Sequence, residues 1–259
     1  MAKKRTNIDE VNQVLASSGF MFPRTVKELE TFNLLYKDEK YELENYCISP
    51  EKLIKNDVKL KVSGNSKSNT YFKRVVLAAE IASQLYDEPT FGHVKFQKLV
   101  FLCENVEDIG ICGNYVKQAA GPFDNKFMHS IDNELKKHKW LKSEINIEKT
   151  FKRYSYKPME NFNGHKKYFN SYFAKKEDKI LWIINLFRTE STDSTELVAT
   201  LFASWSELVS NSVTPTVENL ITAIYNWSKE KKKFSEEMIK SKIKWMSENK
   251  ICPEMLNLS

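Results

Sequence analysis

Asp124 followed by Glu134-Leu135-Lys136 has the residue types of a metal-dependent nuclease core, in which two carboxylates hold a divalent cation and a lysine steadies the attacking water. That chemistry needs the groups to converge from adjacent strands. Phe127, Met128, Ile131 and Leu135 instead recur at helical spacing, which argues for a helix and against a nuclease. The four histidines, His93, His129, His138 and His165, show no metal-ligand spacing. His129 lies one turn from Asp132 and Asn133, an arrangement that surface and capping roles explain without catalysis. No P-loop, GxGxxG, GxSxG or HExxH pattern occurs. The sequence therefore assigns no catalytic residue, no metal ligand and no cofactor, and the chain reads as a binding protein without enzymatic activity.

Charge supplies a second candidate chemistry. The net charge is +6, and residues 136–167 carry ten cations against three glutamates, a local excess of +7. Such a concentration suits a phosphate backbone or an acidic protein surface. Lys136, Lys137, Lys139, Lys142, Lys149, Lys152 and Arg153 are the candidate partner- or nucleic-acid-binding residues.

These side chains must be positioned by helices. Among 259 residues, 41% are apolar and 12% aromatic, with only seven glycines and seven prolines, which favours a mainly α protein of small helical modules. The cysteines Cys47, Cys103, Cys112 and Cys252 lack CxxC spacing, and the Met-Ala-Lys-Lys-Arg start lacks a signal-peptide core. A cytoplasmic protein without a membrane span is expected, since no apolar run approaches the roughly 18 residues that a span requires.

Four stretches follow. Residues 1–62 read as a helical docking segment, with a capping box at Thr25-Val26-Lys27-Glu28 and a second helix start at Ser49-Pro50-Glu51. Residues 63–70 are polar and turn-rich, a linker. Residues 71–189 form a central domain, in which Val75, Val76, Ala79, Ala82 and either Leu85 or Tyr86 mark a core helix. Phe96, Leu99, Val100 and Cys103 mark another, on which Lys95 and Lys98 should begin the wet side. A basic helix to Leu141 follows, with Trp140-Leu141 closing it against the core. Alternation at Ile145 and Ile147, then from Phe151 to Tyr156, predicts a β-hairpin carrying Lys149, Lys152 and Arg153. Helix, helix, basic helix and basic hairpin is the order of a winged-helix unit, so the central domain is expected to be winged-helix-like. Residues 190–259 read as a three-helix bundle, its aromatic residues in the core and Lys229–Lys233 a solvated loop. Gly121-Pro122 reads as an architectural turn, glycine permitting close approach and proline fixing φ.

The Lys95-Phe96-Gln97-Lys98-Leu99-Val100-Phe101-Leu102 helix and the later Ala120-Gly121-Pro122-Phe123-Asp124 resemble the Panacea-type domain of bacterial antitoxins, which shows a Lys-Leu-Gln-Lys-Leu-Leu-Tyr helix and a Gly-Pro turn. The likeness covers about residues 72–141 and rests on Lys95, Gln97, Lys98, Leu99, Gly121 and Pro122. The stretch from Glu107 to Val116 and the lack of a tryptophan-tyrosine pair before Gly-Pro depart from it. The C-terminal stretch, with Glu196, Trp205, Lys232 and Trp245, is similar to a region found in bacterial restriction-modification polypeptides, including some type I specificity subunits. These resemblances imply a bacterial or phage defence setting and a protein partner, either a toxin or a restriction-system subunit. A DNA-binding regulator is the alternative and a metal-dependent nuclease the second alternative.

Overall fold

The computed structural model describes residues 66–106, 109, 111, 113–147 and 152–253, with side chains described for all of these but 66–69, 146, 152 and 153. The expected docking segment at 1–62, both of its helix starts, and Lys149 lie outside the described residues. Eight α-helices and two small antiparallel hairpins are described, in the order α1 (Ser66–Leu85), α2 (His93–Val106), β1 (Val116–Gln118), β2 (Gly121–Phe123), α3 (Asn125–Lys137), β3 (Leu141–Ile147), β4 (Lys152–Pro158), α4 (Lys166–Phe173), α5 (Glu177–Leu186), α6 (Thr192–Ser210), α7 (Val217–Trp227) and α8 (Glu236–Glu248). The mainly helical expectation holds in that form. Among the described residues no helix is long and apolar enough to cross a membrane.

Side-chain caps define where the later helices begin. Asp124, Ser191, Thr216 and Ser235 each accept a hydrogen bond from the backbone N–H three residues on, at the starts of α3, α6, α7 and α8. Serine followed by two glutamates, Ser235-Glu236-Glu237, is a helix-start signature in the sequence, and α8 begins there. The polar run read as a linker over 63–70 is helical from Ser66 onward. Serine, asparagine and threonine suit both turns and the first helical turn, so composition alone does not separate the two.

Helix α2 is the axis of the fold. It packs against α1, α5, α6 and both hairpins, and Phe96 and Leu99–Cys103 are all buried. Burying a leucine such as Leu99 stabilises the fold by about 1.5–3 kcal/mol. A helix covered on every side has no wet face, so the expectation that Lys95 and Lys98 face water is wrong: both are buried, at 0% and 1% exposure. Helix α6 is buried from Thr195 to Ser206 and packs along α2, with the rings of Phe101 and Phe202 edge to face at 6.0 Å. The core consequently runs without interruption across the expected boundary between residues 189 and 190.

The hairpin β3–β4 pairs Leu141 with Pro158 and ends at Ile147 opposite Lys152. Alternation puts Leu141, Ser143, Ile145 and Ile147 on one face, across from Tyr156 and Tyr154. At its root Leu141 and Tyr156 are buried against the core, with Tyr156 touching Phe91 and Phe96. Farther out, Ile145 is 51% and Ile147 81% exposed.

Candidate functional site

The residues that carry the family resemblance converge. Lys98 Nζ donates to the carbonyl of Pro122 at 2.7 Å and to Gln97 Oε1 at 2.8 Å, while Gln97 Nε2 donates to the same Pro122 carbonyl. Gly121 holds φ +100°, and a Cβ there would lie 2.6 Å from Thr200 Oγ1 and 3.5 Å from Lys98 Nζ. Only glycine accepts both that backbone geometry and that approach. The β1–β2 turn is thereby clamped between α2 and α6. Lys95 Nζ points elsewhere and donates to Thr90 Oγ1 at 2.7 Å and to the carbonyls of Arg188 at 3.0 Å and Glu190 at 2.7 Å, tying the α5–α6 connection to α2. Leu99 completes the set as a core residue. All six motif residues thus act as internal architecture.

Burial sets the electrostatics of these lysines. Desolvation, aided by the nearby Lys231 ammonium and opposed by Glu196, lowers Lys98 to about 7. Desolvation likewise lowers Lys95 to about 8 against the pull of Glu88 and Glu190. Lys231 is fully buried and pairs with Glu196 Oε1 at 2.8 Å, so the expected solvated loop at 229–233 is a 3-10 turn pinned into the protein. Its aliphatic stem fills the core while the ammonium finds a carboxylate, which a bare run of lysines does not announce.

A second buried network joins α1, α2, β1 and α3. Arg74 Nε contacts Glu104 Oε1 and Arg74 Nη1 contacts Asp124 Oδ2, both at 2.6 Å, and Tyr115 donates its hydroxyl proton to Glu104 Oε2 at 2.6 Å. Burial raises the Glu104 carboxyl, with Arg74 pulling in the other direction. For Arg74 itself the burial cost is outweighed by Glu104, Tyr115 and Asp124, which hold its guanidinium firmly charged. Asp124 also caps α3 through Phe127 N–H at 3.1 Å. The carboxylate singled out for nuclease chemistry is therefore occupied by a cap and an ion pair, and among the described residues no group of three or more histidine, cysteine or acidic side chains is arranged to hold a metal.

The basic residues occupy the surface. Lys136 and Lys137 are exposed at the end of α3, where Lys137 approaches Glu134 at 3.4 Å, and exposed Lys139 takes the turn into β3 with φ 57°. Lys142 and Lys157 both reach Glu144, at 2.9 and 2.6 Å. Lys152 and Arg153 open β4 opposite Ile147 and Asn146. Beside them lies a cluster that sequence reasoning did not assemble. His93 at the start of α2 stacks near Tyr154 with ring centroids 4.7 Å apart, and its Nδ1 lies 3.2 Å from the Tyr156 hydroxyl. The Asp132 carboxylate of α3 lies beside Tyr156, and burial, with that carboxylate adding to it, raises the phenol well above its ordinary range. Burial lowers His93, the Asp132 carboxylate opposing and the His129 ring assisting. The aromatic alternation of β4 was the only signal for this contact.

Comparison with known proteins finds no matching family model, and no curated protein or solved structure matches the chain.

Proposed function

We propose that this chain is a non-catalytic protein-binding module of a bacterial or phage defence system, an antitoxin-like neutraliser or a restriction-associated accessory protein. The observation that carries the reading is the pair of exposed isoleucines, Ile145 and Ile147, on a hairpin within the basic stretch. Apolar side chains of that size held out from a folded body, with uncompensated charge nearby, have the composition of a contact surface. The Panacea-type likeness supports the antitoxin setting. In this reading the motif residues build the platform and the hairpin meets the partner.

A DNA-binding regulator is the second reading, favoured by one feature. The exposed side of α3 carries Lys126, His129, Asn133 and Lys136 and adjoins the basic hairpin, which is how a winged-helix unit offers a recognition helix and a wing. Co-expression with the products of the flanking genes separates the two. The protein-binding reading expects a stoichiometric complex on size-exclusion chromatography with light scattering. Sub-micromolar duplex binding at physiological salt, with no such complex, would overturn it in favour of DNA.

A further inference from the structure

We infer that the aromatic patch formed by Phe72 of α1, His138 at the end of α3 and Tyr168 and Tyr172 of α4, with Lys73 and Lys167 set over its rings, binds single-stranded nucleic acid. The rings take bases and the lysines take phosphates. This surface does not involve the exposed isoleucines of the β3–β4 hairpin and goes beyond the protein-binding reading.

Measured contacts make the patch contiguous. Tyr168 and Tyr172 stand one turn apart on α4 and so share a face. The Phe72 ring meets both edge to face, with centroids 5.1 and 6.2 Å away, and meets the His138 ring at 5.5 Å. Buried Trp140 forms the floor, with His138 stacked on it at 4.6 Å and ring planes 19° apart. Phe72, His138, Tyr168 and Tyr172 are each half-buried, anchored by these contacts and still partly open to solvent. Rings ordered in advance lose little freedom when a ligand stacks on them.

Charge and ring chemistry together select the occupant. Lys73 Nζ stands 5.5 Å from the centre of the Tyr172 ring and Lys167 Nζ 4.9 Å from that of Tyr168, and neither has an ion pair among the described residues. The carboxylates near them are engaged: Glu80 is buried and held by Lys166, His165 and Gln84, and Glu134 is shared by Lys137 at 3.4 Å and His138 at 3.5 Å. An exposed ammonium over a ring is a weaker contact than a base stacked on it, so a base displaces the lysine and leaves it to meet the adjoining phosphate. Duplex bases are stacked on one another and show only their edges in the grooves, so a duplex offers these rings nothing. An acidic peptide satisfies the lysines alone.

The test uses the full chain and a fluorescein-labelled oligothymidylate of about twelve nucleotides, within the usual range of single-strand sites, read by fluorescence anisotropy over a series of salt concentrations. Micromolar binding at physiological salt is expected. Tyr168→Leu with Tyr172→Leu keeps the apolar bulk but removes the stacking faces and should weaken binding about tenfold or more, whereas Tyr168→Phe with Tyr172→Phe should bind as wild type does. Lys73→Gln with Lys167→Gln should flatten the slope of log affinity against log salt by about 1.4, at about 0.7 for each phosphate contact. Thermal melts check that the variants fold. No binding at physiological salt, equal binding of an abasic oligomer, of polyglutamate or of a duplex of the same length, or a folded double leucine variant that binds unchanged would each overturn the inference. The abasic, polyglutamate and duplex comparisons use the unaltered chain and decide the matter even where a variant folds poorly.

Discussion

Lys98 makes the buried motif measurable through pH. In the folded protein desolvation lowers its pKa to about 7, whereas the unfolded chain keeps its ammonium until about 10.5. Between these limits the unfolded state holds the extra proton, so stability rises with pH through this window, is lowest below about 7, and levels off above about 10.5. The slope from one such group is at most about 1.4 kcal/mol per pH unit, or roughly 5 kcal/mol across the window before relaxation of the site reduces it. Lys98→Met removes this titration while retaining most of the side chain's volume, and Gln97 still donates to the Pro122 carbonyl. Urea denaturation of both proteins at half-unit steps from pH 6.5 to about 9.5 isolates the effect as a difference, cancelling other titrating groups. The wild-type curve should climb relative to the variant by about 1 kcal/mol per unit above pH 7. Parallel curves would refute the buried, desolvated ammonium and the clamp built on it.

Leu99→Ala should destabilise by about 2–5 kcal/mol, since the leucine is fully buried on a helix covered all round; a thermal melt within error of wild type would remove it from the core. Gly121→Ala combines a positive φ with a Cβ pressed on Thr200 Oγ1 and should cost about 2 kcal/mol or more, of which Thr200→Ala in the same chain restores only the steric part, read by denaturant midpoints. Arg74→Met strands the buried Glu104 and Asp124 carboxylates and should cost about 3–5 kcal/mol, less at acid pH where the carboxyl raised by burial is protonated first; chemical denaturation at pH 5 and pH 7 checks both size and direction.

What could be seen in the sequence was whatever depends on neighbours along the chain. The caps at Ser235 and the hairpin alternation at Ile145 and Ile147 are local, and they appear where local rules put them. The wet side assigned to α2 failed because the seam of Phe96, Leu99, Val100 and Cys103 was read without Phe101 and Leu102, which fill the gap in the stripe and mark a helix buried all round. The pairs Arg74–Glu104, Arg74–Asp124 and Lys231–Glu196 span 30, 50 and 35 residues. No spacing rule connects positions that far apart; only the packed fold does. The candidate surface was half legible for the same reason: the basic residues stand out by type, but the brace of His93 under Tyr154 needs α2 and β4 to meet first.

A helix surrounded by hydrocarbon has no preferred angle about its own axis, because one greasy neighbour serves as well as another. Lys95, Lys98 and Glu104 break that degeneracy for α2, each meeting a partner from a different direction: the α5–α6 connection, the Pro122 carbonyl, and Arg74 of α1. They work like the teeth of a key, admitting one rotation and rejecting its neighbours. A sequence with leucine at all three places would still bury the helix, but it would forfeit the index that sets the azimuth of His93 at its first turn, and with it the angle at which the hairpin leaves the body.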